Sequence, residues 1–199
     1  MSKLLLATIA LSLASLSSPA SAKTSANKPI GAVVVHPLFK IYYSCAEHYA
    51  GQFKWSGDAL GADCVVMRLR AVDRRYWARA YRGKGHRNRD WFGWRAEVLA
   101  PIGGVVVKVN VNPKTNKPGI MGRGKASMIT IKRADGVHVV VAHVRELQVK
   151  VGQHVRRGQV IARVGNNGFS RHPHIHIGAW RNKTPLQLRF DQRKIPKAS

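Results

Sequence analysis

Between residues 85 and 190 the chain is cut into short apolar runs, none periodic enough to form a helix. Val105 to Val109, Ser127 to Lys132, Val137 to Ala142 and Ile175 to Trp180 are rich in valine and isoleucine, which suit the pleated surface of a sheet. Glycine separates the runs. Ala134-Asp135-Gly136 between two of them is a hairpin signal, and Gly152 and Gly158 punctuate Val149 to Val164. The pattern predicts a mainly β domain, a small antiparallel sheet or barrel-like body. Gly31 to Val35 and Cys64 to Val72 also read as strands. Arg74 to Tyr81 is aromatic and basic without a clean period and fits a short helix or a surface strand. The segment after Arg181 reads as irregular.

The first 22 residues predict a secretory leader. A basic start at Lys3 precedes the apolar run Leu4 to Leu16, and Ala20-Ser21-Ala22 is an A-x-A cleavage site. The mature chain is expected to begin at Lys23. Residues 23–82 then read as an N-terminal extension, 83–190 as the main domain and 191–199 as a basic tail. Cys45 and Cys64 predict one disulfide pinning the extension, as expected in an oxidising compartment. Thiolate metal binding is the weaker alternative, because the spacing is far from C-x-x-C. The formal net charge is +25, and loss of Lys3 with the leader leaves 25 − 1 = +24. Such an excess points to a polyanionic neighbour. For an exported chain, wall polymers, phospholipid or lipopolysaccharide fit better than nucleic acid. No wall-anchoring repeats are visible, which favours the periplasm.

His172-Pro173-His174-Ile175-His176 holds three histidines at alternate positions. In an extended strand they share a face, roughly 6.5–7 Å apart. One can bind a metal while its neighbour handles a proton. An exposed histidine-rich turn with adventitious metal affinity is the plainer alternative. A hydrolytic zinc site needs three protein ligands and an open position, yet no H-E-x-x-H is present. The sequence offers instead the H-x-x-x-D of His86 to Asp90, then His143 in Ala142-His143-Val144, then His174 and His176.

In that order, with Val98-Leu99-Ala100-Pro101-Ile102-Gly103-Gly104-Val105-Val106 and the V-x-x-G-Q-x-V-x-x-G-Q-x-I run from Val149 to Ile161 between them, the blocks resemble the lysostaphin-type zinc metallopeptidases. These endopeptidases cut peptide bridges in bacterial cell walls. The resemblance spans about residues 83–180. It implies His86, Asp90 and His176 as ligands of a Zn²⁺ cofactor and His143 and His174 as the catalytic pair. It also implies a duplicated-hybrid-motif fold and peptidoglycan as substrate. His172 reads as rim, and His36, His48, His138 and His154 receive no role. Trp91, Phe92 and Trp94 read as wall packing. The chain departs from the family in the loop Asn110 to Gly124 and in the basic Arg87 and Arg89, which leaves substrate choice open. A catalytically silent wall-binding or activator protein of the same fold is the alternative. The glycine-glutamine run also resembles biotinyl-type carrier domains, but no modifiable lysine sits where a carrier needs one.

Overall fold

The computed structural model describes residues 29–48, 59–72 and 74–195. The expected leader at 1–22, the turn at Trp55 to Asp58 and the last four residues of the basic tail lie outside them. Within them the chain forms β1 (Ala32–Val35), β2 (Tyr43–Glu47), β3 (Ala62–Val66), β4 (Arg68–Val72), β5 (Arg75–Arg79), β6 (Glu97–Leu99) and β7 (Gly104–Asn110). Then follow β8 (Met128–Lys132), β9 (Val137–Ala142), β10 (Val144–Arg145), β11 (His154–Val155), β12 (Val160–Val164), β13 (Ile175–Arg181) and β14 (Thr184–Phe190). Two single-turn 3-10 helices and no α-helix complete the described residues, so the mainly β expectation holds.

Nine strands form one curled sheet, seven of them in the order β1-β14-β13-β9-β8-β7-β11, with β3 and β2 branching from β13. Its centre is β13. One edge of β13 pairs with β9, and the other pairs with β3 at its start and β14 at its end. β2 lies outside β3. The pairing of β1 with β14 is parallel. A smaller sheet, β10-β12-β6, shares its core with the larger one, and β4 and β5 form a separate hairpin. Ile129, Ile131, Val139, Val141, Ile161, Ile175 and Ile177 have no exposure and bind the two sheets into one core. Each such side chain contributes roughly 1.5–3 kcal/mol relative to staying exposed. Val33, Val35 and Cys64 belong to the same core, so residues 32–66 share sheet and interior with the later strands.

Cys45 and Cys64 are direct partners in the β2–β3 register and form the expected disulfide. Three local expectations change. The run Cys64 to Val72 is two strands, parted at Met67, whose N–H bonds to Tyr42 O at 3.0 Å. The stretch left ambiguous at Arg74 to Tyr81 contains a strand, β5. The segment after Arg181 is not irregular, because β14 runs from Thr184 to Phe190. Asn182 and Lys183 have φ of 48° and 65° and make the two-residue hairpin that leads into it. Pro185 and the basic residues hide an alternation in which Leu186, Leu188 and Phe190 pack on the core.

Candidate metal centre

One rung of the main sheet places the polar side chains. Ala46 pairs with Asp63, Asp63 with His176, His176 with Ala142, and Ala142 with Met128. Directly opposed residues leave a sheet on the same face, so the Asp63 carboxylate and the His176 imidazole emerge side by side. His174, two residues before His176, joins that face, as does His48, two residues beyond Ala46. The opposite face carries Cys64, Ile175, Ile177 and Val141, which are fully buried. His143 follows Ala142 with a φ of 62°. This left-handed residue turns the chain from the main sheet into β10. Gly165 donates its N–H to His143 O at 2.9 Å, and a Cβ on Gly165 would lie 2.7 Å from that oxygen. Only glycine permits the approach.

His48, Asp63 and His176 bring three ligand atoms together. His48 Nε2 lies 3.2 Å from His176 Nδ1 and 3.4 Å from Asp63 Oδ1, and His176 Nδ1 lies 3.1 Å from Asp63 Oδ1. Bonds of 2.0–2.1 Å to a tetrahedral zinc would set its ligand atoms roughly 3.3–3.4 Å apart. The triangle matches one face of such a tetrahedron. Two imidazoles and a carboxylate are also a donor set that zinc accepts.

His143 and His174 stand beside the triangle. Their rings are 4.6 Å apart, and the His143 ring is 6.3 Å from that of His176. His143 Nδ1 lies 2.8 Å from Asn167 O, and His174 Nδ1 lies 2.8 Å from His172 O. A carbonyl only accepts, so each Nδ1 carries the proton and each Nε2 is left as a base. His174 Nε2 lies 3.6 Å from Asp63 Oδ1. The Asn167 side chain holds its own loop by accepting from Ser127 N–H at 2.7 Å and donating to Val144 O at 2.8 Å. Burial is the main cause that pushes the His143 pKa down, to about 3, and the neighbouring His174 adds to it. Burial also pushes Asp63 upward, but the neighbouring imidazoles of His174 and His176 outweigh it and hold the carboxyl well below the usual carboxylate range.

The structure therefore brings together His143, His174 and His176 but not His86 and Asp90. Asp90 Oδ2 accepts from Arg87 N–H at 2.9 Å, closing its own 3-10 turn at Asn88–Asp90, and His86 is exposed. Their loop forms a wall instead. Trp91 stacks on His172 at 4.4 Å, and Phe92 packs on the core. His172 is half-buried at the rim. The sequence reading gives His48 and Asp63 no role. The available signal was their position: Asp63 adjoins Cys64 and His48 lies three residues after Cys45, so the disulfide that was expected would itself bring them close.

A candidate His-His-Asp metal site with two further imidazoles lies on a curled all-β sheet. Residues 86–188, just over half of the chain, match the family model for peptidase family M23, and the chain belongs to that family. The matched stretch begins at His86 and leaves His48 and Asp63 outside. Over 75 residues the chain is 35% identical to lysostaphin from Staphylococcus staphylolyticus and to lysostaphin from Staphylococcus simulans. That stretch is 37% of this chain but 16% and 15% of the two relatives, so the chain spans about a sixth of their length. Among solved structures, the catalytic domain of Staphylococcus simulans lysostaphin aligns with 73% of this chain and 88% of its own, at 20% identity and a TM-score of 0.44. The catalytic domain of the prophage-encoded M23 protein EnpA from Enterococcus faecalis aligns with 76% and 93%, at 18% identity and a TM-score of 0.48.

Proposed function

We propose that this chain is an exported zinc endopeptidase, periplasmic in location, that hydrolyses peptide cross-links of peptidoglycan. The observation that carries this reading is the triangle of His48, Asp63 and His176 with two basic Nε2 atoms beside it. Zinc held by those three residues would carry a net charge of about +1 with its ligands and supply Lewis acidity toward water and the scissile carbonyl. His143, buried and neutral, accepts a hydrogen bond from the attacking water at Nε2 and orients it. His174 takes the proton at its own Nε2, where the nearby Asp63 carboxylate stabilises the cation, and delivers it to the leaving amine. Asn167 O and His172 O keep the two rings in the required tautomers. M23 membership supports the peptide substrate, and the large positive charge supports an anionic envelope as the setting.

The test is digestion of purified peptidoglycan by residues 23–199, with products read by mass spectrometry. The expected result is new amino termini that vanish with a zinc chelator and in His176→Ala. Stoichiometric zinc with no products would reject the enzyme and leave a wall-binding role.

A further inference from the structure

The β4–β5 hairpin lies outside both larger sheets, and its register sorts its side chains. Arg68 faces Arg79 and Arg70 faces Trp77, with Arg75 on the same side; Leu69 faces Ala78 and Ala71 faces Tyr76 on the other. One face is cationic and the other apolar. All of β5 is exposed, Tyr76 at 75% and Trp77 at 57%. A two-stranded ribbon with arginines directly opposed gains little from its own pairing.

Residues 68–82 contain six arginines and no lysine. Among the described residues the ion pairs leave all six out. At the base of the hairpin Arg68, Arg70, Arg79 and Arg82 line a shallow pocket of about 150 Å³ with Tyr81 and Phe92. The Arg68 guanidinium sits 4.8 Å over the Phe92 ring. Arg79 donates to Gly83 O at 3.4 Å and Arg82 to Arg89 O at 3.2 Å. These neutral partners position the guanidiniums without cancelling their charge.

Guanidinium forks match phosphate oxygens in a way that lysine does not. Exposed tyrosine and tryptophan suit the boundary between headgroups and acyl chains. A soluble polyanion would satisfy the arginines but leave Trp77, exposed on the same face, in water. We infer that the arginine face of the β4–β5 hairpin docks on an anionic phospholipid surface, with headgroup phosphates in the arginine pocket and Trp77, which shares that face, in the interface. Tyr81 bridges to Trp91, and Trp91 stacks on His172. A docked hairpin thereby sets the orientation of the metal-centre cleft relative to the lipid. The inference stands whether or not the centre is catalytic.

The test is co-sedimentation of the protein with vesicles of phosphatidylcholine alone and with about a third phosphatidylglycerol. Each arginine near a charged surface is worth about 1 kcal/mol. The variant Arg70→Gln/Arg75→Gln/Arg79→Gln should therefore lose roughly a hundredfold in partition to the anionic vesicles. The control Lys150→Gln/Arg156→Gln/Arg157→Gln, exposed elsewhere on the surface, should lose far less. Trp77→Phe, which keeps the hairpin apolar, should abolish the blue shift of tryptophan emission on vesicle binding. Equal losses in the two triple variants would reduce the effect to overall charge and overturn the site. An unchanged blue shift in Trp77→Phe would overturn insertion of the hairpin. Tight binding to soluble polyphosphate with none to vesicles would overturn the lipid assignment.

Discussion

The Asp63 carboxylate lies within 3.6 Å of nitrogens from His48, His174 and His176. Asp63→Asn should therefore weaken zinc affinity by more than about a hundredfold, beyond what an outer-sphere partner contributes, whereas Asp90→Asn should leave it unchanged. Metal content after dialysis against a calibrated chelator separates the two. His143 makes a different prediction. Held neutral, with a pKa near 3 instead of 6.5, it binds fewer protons folded than unfolded between those values. The stability present above about pH 6.5 is lost as the pH falls toward 3, at up to about 1.4 kcal/mol per pH unit. Denaturant unfolding of the chelated protein at several acid pH values should show a shallower loss in His143→Gln. At this scale His143, His174 and His176 were legible because two alternate at the start of β13 and the third directly follows β9. His48 and Asp63 were not. Their approach depends on the β2–β3 register, while the local H-x-x-x-D offered the right residue types at the right spacing and uses its aspartate to close a turn.

His48 directly follows β2 and Asp63 lies in β3, so each strand positions one candidate ligand, and the Cys45–Cys64 bond joins them. A bridge across 19 positions stabilises a fold by about 3 kcal/mol. Cys45→Ala/Cys64→Ala should lower stability by about that amount. It should also weaken zinc affinity at temperatures where the variant is still folded, which a remote cross-link would not do. Thermal unfolding and chelator competition read the two effects separately. Valine-rich runs such as β8 and β9 were legible as strands because burial demands that composition. β14 was hidden by Pro185 and by a turn whose second residue, Lys183, belongs to a type that seldom announces a positive φ. The split at Met67 was hidden because apolar character continues across it, while β3 pairs with β2 and β4 with β5.

The whole molecule carries 34 basic residues against nine acidic ones. Attraction to an anionic envelope is screened beyond about 10 Å at 0.1 M salt. Cleavage of intact wall bearing anionic polymers should fall steeply between 50 and 300 mM salt, while cleavage of a short neutral cross-linked peptide should change little. Turbidity and chromatographic assays run in parallel would show the divergence, and equal salt sensitivity would deny the charge a role in reaching substrate. The centre itself is spread along the chain, with His48 and His176 separated by 128 positions. A ribosome working at about 5–20 residues per second takes roughly 6–26 s to cover that interval. Throughout it the polypeptide holds at most two of the three ligands, and the last arrives with β13, the strand on which the sheet closes. The candidate centre is therefore completed all at once, when β13 takes its place between β3 and β9.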